Sequence, residues 1–255
     1  MPSFEVDGAL LDYSESGSGS TVMALHGLSQ SRRGDERTGS SFVPALEPNH
    51  RVVAYDARGH GLSTGRPEQS DYTWASLGDD LLALIDHVSP DEPVDAIGAS
   101  MGCGTILHAA TKRPDRFRRL VLVIPPTAWS GRIANAEANR AAADLIDTYG
   151  LGRLIEASKN LPKPPALGDM ELVPDFADGV GASAMRGAAI TDLPEPPQIA
   201  RITAPTLILA WTDDLGHPLI TAELLRDLID KSEISLAGDQ VQRAEWPQRV
   251  AHFLS

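Results

Sequence analysis

Residues 94–112 read VDAIGASMGCGTILHAATK, and the reading of this stretch decides the fold. Val94–Ile97 is a short strand-sized run. Met101–Lys112 reads as a helix. Between them lies Gly98-Ala99-Ser100-Met101-Gly102, a G-x-S-x-G turn. A chain with 22 glycines meets such a pentapeptide by chance often enough to make the pattern weak alone. Strand before and helix after give it weight, because that order pushes the serine into a tight, exposed turn at a helix N-terminus. Small residues at Gly98 and Gly102 let the two backbones approach each other.

Working outward, the N-terminal segment pairs Phe4–Val6 with Ala9–Tyr13 across Asp7-Gly8, a strong hairpin signal. Apolar strands are expected at Thr21–Leu25, Arg51–Tyr55, Leu120–Ile124, Thr206–Ala210 and Glu233–Leu236. Helical stretches separate them: Trp74–Val88, which stops at Ser89-Pro90, then Ala222–Asp230 and Pro247–Leu254. Near-continuous apolar strands alternating with helices predict a mostly parallel sheet covered on both faces. The rhythm breaks between Thr127 and Pro197. There the helical segments Asn135–Thr148 and Leu151–Ser158 alternate with the proline-rich joints LPKPP and LPEPP, and no strand is evident. The expected organisation is one α/β core, residues 1–126 and 198–255, with a helical lid, residues 127–197, inserted after the sixth strand.

Two further turns extend the pattern set by Ser100. His26-Gly27-Leu28 follows the third strand. Asp56-Ala57-Arg58-Gly59-His60-Gly61-Leu62-Ser63 follows the fourth and reads D-x-R-G-x-G-x-S. With the G-x-S-x-G elbow, these segments resemble the α/β-hydrolase superfamily over nearly the whole chain. The resemblance implies an eight-stranded, mostly parallel sheet with helices on both faces and a helical lid. Ser100 would be the nucleophile, and the backbone N–H groups of Leu28 and Met101 the oxyanion hole. The acid would follow the seventh strand, where the chain reads Ala210-Trp211-Thr212-Asp213-Asp214-Leu215-Gly216-His217-Pro218. The register selects Asp214, with Asp213 next.

The family's histidine belongs just after the eighth strand, yet the chain there reads Leu236-Ala237-Gly238-Asp239-Gln240. Asp239 occupies the histidine's place. A carboxylate is a far weaker base than imidazole, and serine needs a base to become a good nucleophile. Ser100 is therefore expected to be weakly activated. His217 is the one histidine positioned to substitute, although a residue preceding Pro218 reads first as a helix start. His26 and His60 belong to turn motifs and are expected to make structural hydrogen bonds. His50, His87, His108 and His252 have no reason to face the pocket. Three outcomes stay open: recruitment of His217, chemistry that needs no strong base, or little chemistry.

Composition narrows the partners. The 255 residues carry a formal charge of −13, which repels polyphosphate and anionic lipid. The basic run Lys112–Arg119 suits a helix C-terminus better than a nucleic-acid surface. No apolar run approaches spanning length and no leader is evident, so a cytoplasmic protein with a small-molecule substrate or ligand is expected. A single cysteine, Cys103, excludes an internal disulfide and a cysteine-rich zinc site, and it reads as a packed residue. Arg32, Arg33 and Arg37 are anion-binding candidates interleaved with acids, which favours a solvated loop. Asp213, Asp214, Asp239 and His217 are residue types that suit a hard cation, but the sequence supplies no ligand geometry for one, so neither metal nor cofactor is expected. The implied activity is hydrolysis of a small carboxylic ester, lactone or related acyl compound, with reduced or unusual catalysis. The alternative is a non-hydrolytic protein of the same fold that binds a small ligand or guides a rearrangement.

Overall fold

Eight strands form one sheet in the order β1-β2-β4-β3-β5-β6-β7-β8. The structure, a computed structural model, describes residues 2–159 and 161–255. In chain order the strands are β1 Ser3–Val6, β2 Ala9–Ser16, β3 Ser20–Leu25, β4 His50–Tyr55, β5 Val94–Ala99, β6 Phe117–Val123, β7 Thr206–Trp211 and β8 Ser232–Ala237. β1 and β2 pair antiparallel, β2 pairs antiparallel with β4, and every other pairing is parallel. The order runs outward in both directions from β3, so the chain reverses its direction of travel across the sheet there. Ligands of open α/β sheets bind at the carboxyl ends of strands beside such a reversal. The exits of β3 and β5, adjacent in the sheet, carry His26-Gly27-Leu28 and Ser100.

Helices cover both faces. Those before β5 are α1 Arg32–Thr38, α2 Val43–Leu46 and α3 Trp74–Val88; α4 Met101–Lys112 follows it. Between β6 and β7 come α5 Arg132–Tyr149, α6 Leu151–Ser158, α7 Gly181–Ala189 and α8 Pro196–Ile199. The chain closes with α9 Leu219–Leu228, α10 Gln240–Arg243 and α11 Trp246–Leu254. α3 shows why these segments are helical. Thr73 caps it by accepting the Ser76 N–H at 3.2 Å, and Leu77, Leu81, Leu84 and Ile85 line up on the face that packs on α4. That layer buries Ile106 and Leu107 of α4 together with Leu120, Leu122 and Ile208 of the sheet. The opposite face packs Val121, Leu207 and Leu209 against Leu46, Trp246, Val250 and Leu254. β7 is buried along its whole length, as expected of a strand inside a doubly covered sheet.

Among the described residues, the stretch from β6 to β7 holds no strand beyond an isolated bridge between His60 and Phe176. Its helices α5 and α7 pack on each other and on Tyr72 of the body, with Ala143, Val180, Ala184 and Met185 in a small core around that ring. Arg132 ties this segment to the body. Its Nε donates to the Thr191 carbonyl at 2.6 Å and its guanidinium lies 4.1 Å over the Trp74 ring. Two helices lie outside the helical stretches legible in the sequence. One is α7, whose GASAMRGAA composition carries little periodic signal. The other is α1, in place of a solvated loop. Ser31 caps α1 by accepting the Gly34 N–H at 3.0 Å, and Gly39 closes it in the left-handed region at φ 65°. The basic run after α4 is absorbed internally: Arg113 pairs with Asp86, Arg116 donates to the Ser89 carbonyl, and Arg118 pairs with Asp95. Among the described residues no helix is long and apolar enough to cross a membrane.

Candidate active site

Ser100 stands between β5 and α4 with φ 50° and ψ −107°, a region that side-chain-bearing residues rarely enter. Such strain persists only when the surroundings enforce it. Here the enforcement is close packing. A Cβ on Gly98 would sit 2.7 Å from the Gly102 carbonyl carbon, and one on Gly102 would sit 3.0 Å from the Leu25 side chain. The two glycines thus let β5 and α4 meet at the elbow while β3 runs beside it. The Ser100 N–H donates to the Val123 carbonyl at 2.9 Å, and the buried Cys103 thiol donates to the Gly98 and Val123 carbonyls at 3.1 and 3.2 Å. Burial pushes that thiol's pKa far up, so it is a packed thiol rather than a nucleophile.

His217 meets the serine. Its Nε2 lies 2.7 Å from Ser100 Oγ, and its Nδ1 lies 2.8 Å from Asp214 Oδ2. Burial alone would raise the Asp214 pKa. The hydrogen bond and charge of His217, the Gly216 N–H and the Trp211 indole outweigh it and bring the carboxyl to about 2. An ionised carboxylate only accepts, so Nδ1 carries the proton and Nε2 is free to accept the Ser100 hydroxyl hydrogen. A hydroxyl, an imidazole and a carboxylate in this relay are the geometry that activates a serine.

The loop after β7 builds this arrangement locally. Asp214 Oδ1 accepts the N–H groups of Gly216 at 2.8 Å and His217 at 3.3 Å, curling the chain around its own carboxylate. Trp211 Nε1 donates to Oδ2 at 2.8 Å, and the Gly216 carbonyl accepts the Thr127 N–H at 3.0 Å, which ties the turn to the exit of β6. Asp213, the next acid in register, has φ 61°, and its side chain accepts from the Thr212 hydroxyl at 2.9 Å.

The expectation that no imidazole serves Ser100 is therefore corrected, and so is the reading of His217 as a helix-start residue alone. Both features hold at once: α9 does begin directly after Pro218, and the three-residue turn before it swings the ring to the serine. Asp239, in contrast, is exposed and caps α10, its Oδ1 accepting the Gln242 N–H at 2.9 Å. It takes no part in the Ser100 cluster. Asp239 and Asp214 lie on separate elements, and among the described residues no three acidic, histidine or cysteine side chains come together as a metal site.

Met101 follows the serine directly, and the loop that carries Leu28 passes beside it, since a Cβ on Gly27 would touch Ser100 Cβ at 3.5 Å. Among the described residues neither the Leu28 nor the Met101 N–H has an acceptor, so two backbone donors near the elbow are unspent. His26 secures their loop: its Nδ1 donates to the Gly27 carbonyl at 2.8 Å while its Nε2 accepts the Ala57 N–H at 2.9 Å. Burial keeps it neutral by lowering its pKa, and burial together with His26 lowers that of His60 to about 3. His60 Nδ1 donates to the Arg58 carbonyl at 2.9 Å. Both histidines hold turns, as expected. Of the others, His50 bonds Ser20, His87 stacks on Phe4, His108 meets the Asp192 carbonyl, and His252 is exposed.

Above the serine lies a cavity of about 890 Å³. Ser100, His217 and Leu28 line it from the sheet side, and Asn139, Leu154 and Met185 line it from α5, α6 and α7. Arg32 also reaches it, but Asp12 and Asp56 both pair with that guanidinium. Burial works to raise the Asp56 pKa, and hydrogen bonds from Arg32 and the backbone more than reverse it. Arg33 and Arg37 are exposed.

Comparisons with known proteins agree with this fold. Residues 20–152 match the family model described as the alpha/beta hydrolase fold. A 3-oxoadipate enol-lactonase of Acinetobacter baylyi is 27% identical, the match covering 82% of this chain and 79% of that protein. A 2-hydroxymuconate semialdehyde hydrolase of a Pseudomonas species is 30% identical over 94% of this chain and 86% of its own length. Among solved structures, the enol-lactonase of Burkholderia xenovorans superposes with a TM-score of 0.80 at 22% identity, covering 99% of each chain.

Proposed function

The chain belongs to the α/β-hydrolase fold family, and on that premise we propose that it hydrolyses a small carboxylic ester or lactone through Ser100, His217 and Asp214. The observation that carries this reading is the imidazole bridging hydroxyl and carboxylate at 2.7 and 2.8 Å. Ser100 Oγ attacks the substrate carbonyl carbon as its proton passes to His217 Nε2. The carbonyl oxygen becomes an oxyanion between the Leu28 and Met101 N–H groups, donors whose loss costs ~10²–10³ in rate in well-studied cases. Collapse breaks the bond to the alcohol oxygen, which takes the proton from the imidazolium. Water then gives a proton to His217 and attacks the acyl-serine, and the second collapse returns the proton to Ser100 and releases the acid. Asp214, ionised throughout, holds the ring's tautomer and stabilises its charged form.

Residues 127–197 act as the lid in this scheme, their helices roofing the cavity and keeping bulk water from the acyl intermediate. The names of the relatives, an enol-lactonase and a semialdehyde hydrolase, support a small acyl substrate. The non-hydrolytic alternative drew its force from an expected lack of imidazole, and that ground is gone. A fluorophosphonate probe should label the protein rapidly and only at Ser100, with Ser100→Ala silent. Slow labelling, or labelling that survives Ser100→Ala, would overturn the proposal.

A further inference from the structure

The cavity over Ser100 is lined by one arginine whose charge no acid answers among the described residues. Arg243 ends α10, just after β8, and lines the cavity. Its side chain has one partner, Ser40 Oγ, which accepts from Nη2 at 3.1 Å. Among the described residues no carboxylate oxygen lies within 4.0 Å of it. Burial alone lowers its pKa, with no acid offsetting the desolvation. Asp35 and Glu36 line the same cavity from α1 without reaching it, and burial beside Asp56 and Glu36 raises the Asp35 pKa to about 7. A second donor lies three residues on. The Trp246 indole N–H is buried and lacks an acceptor among the described residues, and Trp246 lines the same cavity.

A half-buried guanidinium with four N–H donors unspent is costly unless an anion completes it. In a chain of net charge −13 a substrate anion gains little from the overall field and must be recognised locally. One unpaired arginine balances one negative charge, and its planar fork matches the two oxygens of a carboxylate. A phosphate dianion would need a second cation, and the cavity's other arginine is already held by Asp12 and Asp56.

We propose that Arg243 is a specificity-determining residue that binds a carboxylate at the far end of the acyl substrate. The proposal rests on the hydrolase reading above for the substrate's other end. It also gives the β8 exit a task. With the imidazole supplied by the β7 loop, Asp239 is free to cap α10, and its carbonyl accepts the Arg243 N–H at 3.1 Å, which fixes the turn that carries the arginine. The position where the family places its base thereby supports a substrate contact.

The test compares the p-nitrophenyl monoester of glutaric acid with p-nitrophenyl pentanoate, esters of matched length that differ in the terminal carboxylate. The ratio of their kcat/KM values should favour the glutaric ester and fall at least ~10-fold in Arg243→Gln, with partial recovery in Arg243→Lys. Each ratio is taken within one preparation, so a loss of folded protein cancels. A ratio unchanged in Arg243→Gln overturns the proposal. Calorimetric titration with glutarate, against 1,5-pentanediol as the neutral control, reads the same contact without turnover. Glutarate should bind the wild type and weaken at least ~10-fold in Arg243→Gln; equal affinity in both overturns the proposal, as does inorganic phosphate binding more tightly than glutarate. If neither ester turns over but glutarate binding depends on Arg243, the hydrolase reading fails and the carboxylate site stands. If Ser100-dependent hydrolysis proceeds with neither readout sensitive to Arg243, the carboxylate site alone fails.

Discussion

Replacing His217 by alanine removes the only group, among the described residues, within hydrogen-bonding distance of both Ser100 Oγ and Asp214. Two losses follow. The serine proton has no acceptor, and the oxyanion's nearest cationic neighbour, the imidazolium, never forms. General-base assistance alone is worth ~10²–10⁴ in rate, and removal of a triad histidine in a serine protease costs about 10⁶ in kcat. At about 1.36 kcal/mol per decade, a fall of 10⁴–10⁶ corresponds to roughly 5.5–8 kcal/mol of lost transition-state stabilisation. The free Leu28 and Met101 donors should leave residual turnover of ~10³–10⁴ over the uncatalysed rate. The loop itself should survive, because Asp214 keeps the Gly216 N–H, the residue-217 backbone N–H and the Trp211 indole. The assay is kcat for p-nitrophenyl acetate, with thermal melting as the check on folding. A folded His217→Ala protein that loses less than ~10²-fold would refute the assignment of the base.

Asp239→His should bring no gain in p-nitrophenyl acetate hydrolysis and a small loss of stability, about 1 kcal/mol, from the missing α10 cap; an increase of tenfold or more would show that position 239 reaches the serine. His26 and His60 stay neutral in the fold, so the unfolded chain binds more protons as pH drops below about 6.5 and stability falls by up to ~1.4 kcal/mol per pH unit for each, His60 continuing to about 3. Asp35, raised to about 7, takes up its proton in the fold over the same range and opposes one of them, so Asp35→Asn should steepen the fall. Urea midpoints at pH 7.5, 6 and 5 check both statements, and a flat wild-type series would contradict the first.

The elbow was legible because three signals agree in one stretch: an apolar run, a G-x-S-x-G turn and a helix-length segment with no breaker. The sheet was legible for a similar reason, since strands buried on both faces, such as β7, read as unbroken apolar runs. The helices α1 and α7 were not. One is seven residues of mostly charged sequence and the other is glycine- and alanine-rich, so their helicity rests on capping and on packing that no periodicity reports. Asp214 was found by register with the family. His217 was not assigned, because the family's order separates acid and base by a helix and a strand. Two cues were present: Gly216 permits the tight turn, and Pro218 holds His217 extended ahead of α9. Arg243 carried no signal, since nothing in QVQRAEW tells a cavity-lining arginine from a solvated one.

The placement of His217 three residues after Asp214 has a bearing on how this site can be disturbed. When acid and base come from different strands, their alignment is a property of the assembled sheet, and each local opening misaligns them. Here the alignment belongs to a single tight turn with a loop-closure cost near the minimum a chain can have. The α10–α11 region borders the pocket through Arg243 and Trp246, and Trp246 stacks on Trp211, whose indole holds Asp214, so an opening there would reach the imidazole–carboxylate pair only through that tryptophan contact. The proton relay and the substrate wall thus meet at one tryptophan pair, and elsewhere the chain beyond β8 can change what enters the cavity while a single turn keeps together the pair that would do the chemistry.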